Sequence, residues 1–221
     1  MLLLLHRDFI FKIKGKRRAY VENGTLKIDS RYVHWEEMMY GLAYKLTKDN
    51  SCQYCGSYVK KNDLTLDHIF PRAYGGISIT NNLLACCEKC NSSKSSLDGV
   101  EYWELKKKKT EAEKNEFRDK VIQEKENNRY ATGFLLPKDW VEYCDINILK
   151  IREFYQTNYT QSQKLIENKK YIEKYNHFKR PIIVDKNYWV LDGYNWYLAG
   201  KQQGYDTVPI IRLENVELIV K

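Results

Sequence analysis

The stretch that decides the fold of this protein runs from residue 51 to residue 94 and reads SCQYCGSYVKKNDLTLDHIFPRAYGGISITNNLLACCEKCNSSK. It holds two Cys-x2-Cys pairs, Cys52 with Cys55 and Cys87 with Cys90. Two such turns supply the tetrahedral four-sulfur set that zinc prefers. Because four protein ligands leave no open position, the spacing predicts a structural zinc that stabilises a short segment. Cys86 is an alternative ligand, although the spacing to Cys90 favours Cys87, and an accidental spacing is the competing interpretation.

The residues between the two cysteine pairs carry the candidate chemistry. Leu64-Thr65-Leu66 is predicted to be a short strand that ends in Asp67 and His68, whose side chains then point to opposite faces. Hydrolysis of a phosphodiester needs a base for the attacking water and a cation on the scissile phosphate. A neutral His68 can be the base, and the oxygens of Asp67 and Asn91 suit Mg²⁺ or Mn²⁺. Without this context, an adjacent Asp and His are more often a hydrogen-bonded structural pair.

The order of the motifs in this stretch resembles that of the HNH endonucleases, in the subclass with zinc knuckles. The resemblance is carried by Asp67-His68-Ile69-x-Pro71-Arg72, Gly75-Gly76, Asn82-Leu83, and Cys87-x2-Cys90-Asn91 followed by Lys94. It implies a ββα-metal fold, in which two strands, a loop and a helix surround one catalytic divalent cation. Many members have a histidine where this chain has Asn91, and the amide oxygen of Asn91 suits Mg²⁺ better than Zn²⁺.

The resemblance also implies roles by motif position. His68 is the general base, and Asp67 and Asn91 are the ligands of the catalytic Mg²⁺ or Mn²⁺. Asn82 is the asparagine that orients the His68 imidazole through a backbone contact. The predicted contacts to nucleic acid are Arg72, Lys89 and Lys94. The competing interpretation is a catalytically dead zinc module that only binds DNA.

The composition is that of a basic, globular protein. The chain has 221 residues, 43% of them apolar and 30% charged, and its formal net charge is +8. This charge favours an anionic partner such as nucleic acid, although a charge that merely keeps the protein dispersed is the alternative. The resemblance to endonucleases implies double-stranded DNA as the partner. The opening leucines are too short for a signal-peptide core, and no apolar run approaches the roughly 20 residues of a membrane span. We therefore expect no membrane, a reducing cytoplasmic setting, and free thiols at Cys86 and Cys144. The resemblance to HNH endonucleases implies a bacterial or phage-encoded protein.

Outside the cysteine segment, the pattern of the sequence predicts further strands and helices. Asn23-Gly24 predicts a hairpin turn between two strands within residues 1–29. Residues 33–47 place apolar side chains on one helical face, which is typical of core packing. The highly charged residues 99–130 predict one or two exposed helices. A boundary is expected near residues 131–139.

Beyond that boundary, the pattern predicts a second unit of strands and helices. A short strand is expected at Ile146–Ile148, followed by mostly helical structure up to residue 175. A turn at Asp185-Lys186-Asn187 separates two strands. A helix is expected from Tyr194 to Gln203, and the last strand covers Val216 to Val220.

This second unit contains an ordered series of motifs: a hairpin, an Asp-Gly turn, a helix, a glycine and a Val-Pro strand. They are Arg180-Pro181-Ile182-Ile183-Val184-Asp185, Val190-Leu191-Asp192-Gly193, Tyr197-Leu198-Ala199 with Lys201, and Gly204-x-Asp206-Thr207-Val208-Pro209-Ile210. The series resembles the ParB/sulfiredoxin-like domain over residues 180–213. Tyr194-Asn195-Trp196 replaces the His or Arg of nucleotide-binding members and the reactive Cys of sulfiredoxins. The resemblance therefore implies a binding or docking module, and a degenerate fold kept for packing is the alternative.

Together these observations predict an α+β protein in four parts. They are a strand-and-helix cap at 1–50, an HNH nuclease core at 51–100, a charged helical linker at 101–139 and a ParB-like α/β domain at 140–221. The predicted function is that of a metal-dependent HNH endonuclease that hydrolyses DNA, with a homodimer contact or a protein partner at the C-terminal domain. The alternatives are a non-catalytic zinc-dependent nucleic-acid-binding protein and an RNA-cleaving nuclease of the same fold.

Overall fold

The structure is a computed structural model that describes residues 9–14, 16–29, 34–47, 50–60, 63–132, 134, 136, 138–152 and 162–219. The strands within these ranges are β1 (Ile10–Ile13), β2 (Lys16–Glu22), β3 (Thr25–Asp29), β4 (Leu64–His68), β5 (Leu83–Cys87), β6 (Glu142–Asp145), β7 (Ile182–Asp185), β8 (Val190–Asp192), β9 (Thr207–Leu213) and β10 (Val216–Ile219). The helices are α1 (Trp35–Leu46), α2 (Glu88–Lys94), α3 (Gly99–Lys106), α4 (Glu111–Thr132), α5 (Gln163–Tyr175) and α6 (Tyr194–Gln202). None of these helices has the length and hydropathy that a membrane span requires.

The first sheet joins the two ends of the chain. Its strand order is β1-β2-β3-β10. The turn between β2 and β3 has positive φ at both central residues, 49° at Asn23 and 73° at Gly24, so the predicted hairpin turn is confirmed. Strand β10 pairs with β3 in parallel, with Val216 beside Leu26. The sequence pattern located the last strand but did not predict its place in the N-terminal sheet.

The buried carboxylate of Asp185 connects β10 to the C-terminal unit by hydrogen bonds. Asp185 at the end of β7 has no exposed surface. Its Oδ1 accepts hydrogen bonds from the backbone N–H groups of Asn187 and Trp189, and its Oδ2 accepts one from Leu218, all at 2.8 Å. Three donors offset the cost of burying a charge. The turn after β7 and the final strand are therefore held by the same side chain.

The C-terminal sheet has the order β6-β9-β7-β8, and β7 lies parallel to β9. The predicted strand at Ile146–Ile148 is wrong, because these residues form a 3-10 turn. Asp145 caps this turn by accepting a hydrogen bond from Asn147 N, so the chain turns where the alternation of the two isoleucines indicated extension. The strand lies just before it, where Tyr143 of β6 pairs with Pro209.

A shared core holds these parts together. Helix α1 buries one apolar face, as its periodicity predicts, and this face lies in a cluster with side chains of both four-stranded sheets and of the loop before β5. The buried residues of α1 in this cluster are Trp35, Met38, Met39, Leu42 and Ala43. Strands β2 and β3 and helix α1 therefore pack against the segment that carries the candidate site and against the C-terminal unit.

The two charged helices, α3 and α4, pack on the cysteine segment. Asp98 and Glu101 form a capping box at the start of α3, and both carboxylates pair with Lys125 of α4. Tyr102 and Leu105 of α3 are buried in a cluster with the cysteines. The prediction of one or two helices in this region is confirmed, and α3 forms part of the core beneath the cysteines.

Candidate functional site

Strands β4 and β5 form a two-stranded antiparallel sheet that positions the site. Leu64 pairs with Cys87, and His68 pairs with Leu83 at the other end. Helix α2 begins directly after β5, where Cys87 Sγ accepts a hydrogen bond from Cys90 N. The cysteines therefore lie at one end of the strand pair, and Asp67 and His68 lie at the other.

The four cysteines of the two Cys-x2-Cys pairs come together as the spacing predicts. The sulfur atoms of Cys52, Cys55, Cys87 and Cys90 all lie within 4.8 Å of one another. This separation fits a tetrahedral ion with Zn–S bonds of about 2.3 Å. Cys86 is fully buried outside this group, with its Sγ 3.5 Å from Thr65 Oγ1. The cluster therefore uses Cys87 and could bind zinc.

The acidities of the cysteine thiols differ according to their surroundings. Hydrogen bonds from Ser57 lower the pKa of Cys55 to about 6, whereas burial raises the pKa of Cys90 to about 12. Metals bind the thiolate form of cysteine, so an ion at this cluster would displace a proton from the buried Cys90 thiol. Cys52 and Cys90 are buried, Cys87 is half-buried and Cys55 is exposed, so the cluster lies at the edge of the core.

One face of β4 holds Asp67 in a network of buried partners. Asp67 Oδ2 accepts a hydrogen bond of 2.7 Å from the Tyr54 hydroxyl. Lys94 Nζ lies 3.0 Å from Asp67 Oδ2 and donates to the His68 backbone oxygen at 2.8 Å. Lys94 is 1% exposed, so its ammonium is an internal cation. This differs from the predicted nucleic-acid contact of Lys94, because a side chain so deeply buried cannot reach a phosphate.

Asn91 lies on the same face of β4 as Asp67. Asn91 is in α2, and its Nδ2 donates to Thr65 Oγ1 at 3.1 Å. Thr65 precedes Asp67 by two residues, so both side chains point to one side of the strand. The oxygen donors of Asp67 and Asn91 suit a hard cation, and the buried Lys94 ammonium shows that this face accommodates positive charge.

Tyr54 is a residue of this site that the sequence reasoning missed. It lies between the two cysteines of the first pair, is buried, and packs edge-on against Tyr102 at 5.1 Å. Burial, followed by its hydrogen bond to Asp67, raises the pKa of Tyr54 above its ordinary value. A signal was present in the sequence, since the hydroxyl of a buried tyrosine usually has a polar partner. Tyr54 joins the cysteine cluster directly to Asp67.

The opposite face of β4 holds His68 through a chain of polar groups. His68 Nε2 lies 3.0 Å from Ser78 Oγ, and Ser78 Oγ donates to Glu36 Oε1 at 3.2 Å. Glu36 Oε1 in turn pairs with Arg72 Nη1 at 2.8 Å. Since the single hydroxyl proton of Ser78 goes to the Glu36 carboxylate, Ser78 accepts a hydrogen bond from His68 Nε2–H. The neutral imidazole therefore keeps its lone pair on Nδ1.

The surroundings of His68 also favour its neutral form. Burial, with smaller contributions from the positive charges of Arg72 and Lys94, lowers the pKa of His68 to about 4. The imidazole is therefore neutral at pH 7, as a general base requires. Glu36 and Ser78, which fix its orientation, were not predicted, because they lie far from the motif in the sequence or carry no distinctive spacing.

Asn82 fixes the backbone that follows His68. It is fully buried, its Oδ1 accepts from Phe70 N at 2.7 Å, and its Nδ2 donates to Phe70 O and Ile77 O at 3.2 and 2.9 Å. Its backbone oxygen accepts from Ile69 N at 2.9 Å. Asn82 therefore acts on the chain next to His68 and holds the two ends of the following loop together.

Gly75 and Gly76 close the loop that follows His68. Gly75 has a φ of 96°, and a Cβ atom on Gly76 would lie 1.9 Å from Phe70 O, so both positions require glycine.

The Arg72 side chain, at the start of the loop, is 51% exposed, and Lys89 on α2 is exposed. These two predicted nucleic-acid contacts remain accessible.

The arrangement of a strand ending in Asp-His, a closed loop and a helix with Asn91 has known relatives. Residues 52–99 match the HNH endonuclease family. The CRISPR-associated endonuclease Cas9 of Corynebacterium diphtheriae is 44% identical over 46 residues. This match covers 20% of the present chain and 4% of that relative, so the two proteins share a short HNH segment. The sequence resemblance to HNH endonucleases is confirmed.

Two solved structures show a partial similarity to this chain. A pNOB8-like ParB N-domain is 25% identical, with a TM-score of 0.29, and the match covers 33% of this chain and 28% of that one. SbnI from Staphylococcus aureus is 21% identical, also with a TM-score of 0.29, over 34% of this chain and 31% of that one. Each match thus covers about a third of the present chain.

Proposed function

We propose that this protein is a metal-dependent endonuclease that hydrolyses phosphodiester bonds in DNA. The observation that carries the proposal is the state of His68, which is buried, neutral at pH 7 and held through Nε2 so that Nδ1 keeps its lone pair. It lies beside Asp67 within the segment that matches the HNH endonucleases. A neutral imidazole next to a carboxylate that can hold a cation is suited to activate water at a phosphate.

Each residue of the site would have a separate role in hydrolysis. His68 Nδ1 would take the proton of the attacking water, and the hydrogen bond from Nε2 to Ser78 would keep the ring in place. Asp67 and Asn91 would hold Mg²⁺ or Mn²⁺, which supplies positive charge for the scissile phosphate. Asn82 would keep the backbone after His68 rigid. The four cysteines would hold a structural zinc at the other end of the strand pair.

The test is cleavage of supercoiled plasmid DNA with added Mg²⁺ or Mn²⁺. The variant His68→Ala is expected to lower the rate by about 10²–10⁴-fold while DNA binding stays unchanged, because loss of a general base removes that much. The exposed His34, which makes no capping hydrogen bond to α1, gives the matched control His34→Ala, expected to cut normally. A His68→Ala protein that cuts at the wild-type rate would refute this mechanism.

One observation favours a second candidate function. Lys94 already pairs with the Asp67 carboxylate, and a chain in which it stays there would be a zinc-dependent nucleic-acid-binding protein without nuclease activity. The same plasmid assay separates the two, because binding without any conversion of supercoiled DNA supports the second candidate. Parallel assays on duplex DNA and on RNA distinguish the proposed DNA nuclease from an RNA-cleaving enzyme of the same fold.

A further inference from the structure

A cleft of about 540 Å³ lies between the loop that follows His68 and the C-terminal unit. One wall is formed by the loop, with Arg72 and Gly76, and the other by α5, the turn before β7 and the start of α6. Its volume lies within the range of about 300–1,000 Å³ that is usual for ligand sites. The cleft therefore has the size of a binding site, and it lies between the HNH segment and the C-terminal unit.

The lining of the cleft is strongly basic. Its cationic side chains are Arg72, Lys164, Lys179 and Arg180. The sole carboxylate among the lining residues, all of them described, is Asp192, which binds Arg180 in a two-pronged contact at 3.0 and 3.3 Å. The charges of Lys164 and Lys179 thus have no counter-charge within the lining. An anionic occupant would supply it.

The aromatic residues of the cleft indicate which part of an anionic ligand it suits. Tyr194 and Trp196 line it but are 7% and 5% exposed, and Trp196 packs against Tyr171 and Phe178 in the core. Stacking on a base requires an accessible ring face. The cleft therefore presents cations and little ring surface, a combination that suits phosphate groups and sugars more than bases.

The cleft is also connected to the candidate site. The Arg72 guanidinium in its wall contacts Glu36, and Glu36 contacts Ser78, which holds His68. A ligand in the cleft thus lies three side-chain contacts from the proposed base. Because Arg72 and Lys164 are both exposed, the cleft is open to solvent, and a long ligand could extend out of it.

We propose that the cleft binds the sugar–phosphate backbone of the DNA next to the bond that is cut. The inference rests on the proposed nuclease function and assigns the C-terminal unit a share of substrate binding. Contacts of this kind fix the position and orientation of the duplex and carry no sequence information. Within the lining, Lys164 and Lys179 have no carboxylate partner.

The experiment measures binding of a fluorescent duplex to the full chain by anisotropy, at several salt concentrations and without added divalent cation. The variant Lys164→Gln/Lys179→Gln removes two cations from the cleft. It is expected to weaken binding and to lower the slope of log affinity against log salt by about 2, one for each lost phosphate contact. The control Lys170→Gln/Lys174→Gln removes two cations of α5, the helix that carries Lys164, at positions outside the cleft, and it is expected to keep the full slope.

The outcomes separate this inference from the proposed nuclease. Equal affinity and equal slope for both double variants overturn the cleft proposal, even if the wild type cuts DNA. A wild type that binds through the cleft but cuts nothing overturns the nuclease and leaves the cleft assigned. If nucleoside triphosphates bind the wild type but not the cleft variant, while duplex binding is unchanged, the cleft is a mononucleotide site and the proposal fails.

Folding is checked by thermal unfolding of each variant. Should Lys179→Gln unfold the chain, the exposed Lys164→Gln carries the test by itself, with an expected change in slope of about 1. In the cleavage assay, the cleft variants are expected to raise KM and leave kcat near the wild-type value, because a contact made equally in the ground and transition states affects binding only.

Discussion

The two faces of strand β4 are held by different parts of the chain. Asp67 is fixed by Tyr54 and Lys94, both from the cysteine segment, with Asn91 reaching the same face through Thr65. His68, the next residue, is fixed by Ser78 and through it by Glu36 of helix α1. The side chains of two adjacent residues of one proposed active site therefore depend on two separate sets of contacts, while Lys94 also donates to the backbone oxygen of His68.

This difference shows which parts of the molecule each function needs. The Asp67 face is built within residues 52–94, and Tyr54 links it to the first cysteine pair of the proposed zinc cluster. The His68 face needs α1, whose apolar side lies in a core with strands from both ends of the chain. The proposed metal ligand is thus a property of the short segment, whereas the proposed base is oriented by the whole fold. Variants on the Asp67 face should therefore impair metal binding, whereas variants on the His68 face should impair the orientation of the proposed base.

The largest effect is expected from the cysteine cluster, on the Asp67 side. Cys87→Ser removes one of the four sulfurs, whereas Cys86→Ala changes the neighbouring buried cysteine outside the cluster. A structural zinc site contributes about 10 kcal/mol or more in small domains, so Cys87→Ser should lose zinc, folded structure of the segment and all cleavage. Metal analysis of the purified proteins checks this. Full zinc content in Cys87→Ser would show that the cluster is not a zinc site.

The second-largest effect is expected when the buried ammonium of Lys94, the cation beside Asp67, is removed. Lys94→Met leaves the buried Asp67 carboxylate without its ion pair, and breaking a buried pair costs about 3–5 kcal/mol. Lys89→Met on the same helix removes an exposed lysine and should leave stability unchanged while weakening DNA binding. Urea unfolding of both proteins is the measurement. If Lys94→Met unfolds at the wild-type midpoint, Lys94 is not the counter-ion that holds the Asp67 face.

A divalent cation added to Lys94→Met gives a sharper version of this test. Asp67 shares its oxygens with Lys94 in the folded chain. A cation bound by Asp67 should therefore stabilise the variant more than the wild type, since binding to the native state alone raises stability. Titration of Mg²⁺ or Mn²⁺ during thermal unfolding measures the difference, and an equal shift in both proteins would argue against a cation on Asp67.

The sequence predicted the Asp67 side better than the His68 side, for a physical reason. The cysteine spacing and the Asp-His, Asn82 and Asn91 positions are short-range patterns, and the structure brings the four cysteines together as expected and places Asn91 against Thr65 of the strand that carries Asp67. Glu36 and Ser78 come close to His68 only because α1 packs on the loop before β5. Such contacts depend on tertiary packing, which leaves no signal in local spacing.

The same distinction applies to the fold as a whole. The Asn23-Gly24 turn and the α1 face follow from local chemistry and are confirmed. The pairing of β10 with β3 joins residues at opposite ends of the chain, and no local pattern specifies it. At Ile146–Ile148 a local pattern was misleading, since the Asp145 cap decides the conformation there.

A smaller effect is expected at Tyr54, which joins the cysteine cluster to Asp67. Tyr54→Phe removes one hydrogen bond to a charged group, worth about 1.5–3 kcal/mol, and leaves the ring in its packing. Zinc content should be normal, while the concentration of Mg²⁺ needed for half-maximal cleavage rises. The exposed Tyr58 provides the control Tyr58→Phe. A Tyr54→Phe protein with a wild-type Mg²⁺ requirement would show that Tyr54 serves packing only.

The smallest effect is expected on the His68 side. Ser78→Ala removes the acceptor of His68 Nε2–H, a neutral hydrogen bond worth about 0.5–1.5 kcal/mol. A loss of about 1 kcal/mol in the transition state lowers kcat about fivefold, and the Mg²⁺ requirement should not change. The exposed Ser92 on α2 provides the control Ser92→Ala. A raised Mg²⁺ requirement in Ser78→Ala would contradict the separation of the two faces.

The double variant Tyr54→Phe/Ser78→Ala decides whether the faces act independently. If each set of contacts holds its own residue, the two losses in cleavage free energy should add, with an interaction energy below about 0.5 kcal/mol. A larger interaction energy would mean that displacement of Asp67 also moves His68, through the backbone that joins them. In that case the cysteine cluster would orient the proposed base as well as the proposed cation ligand.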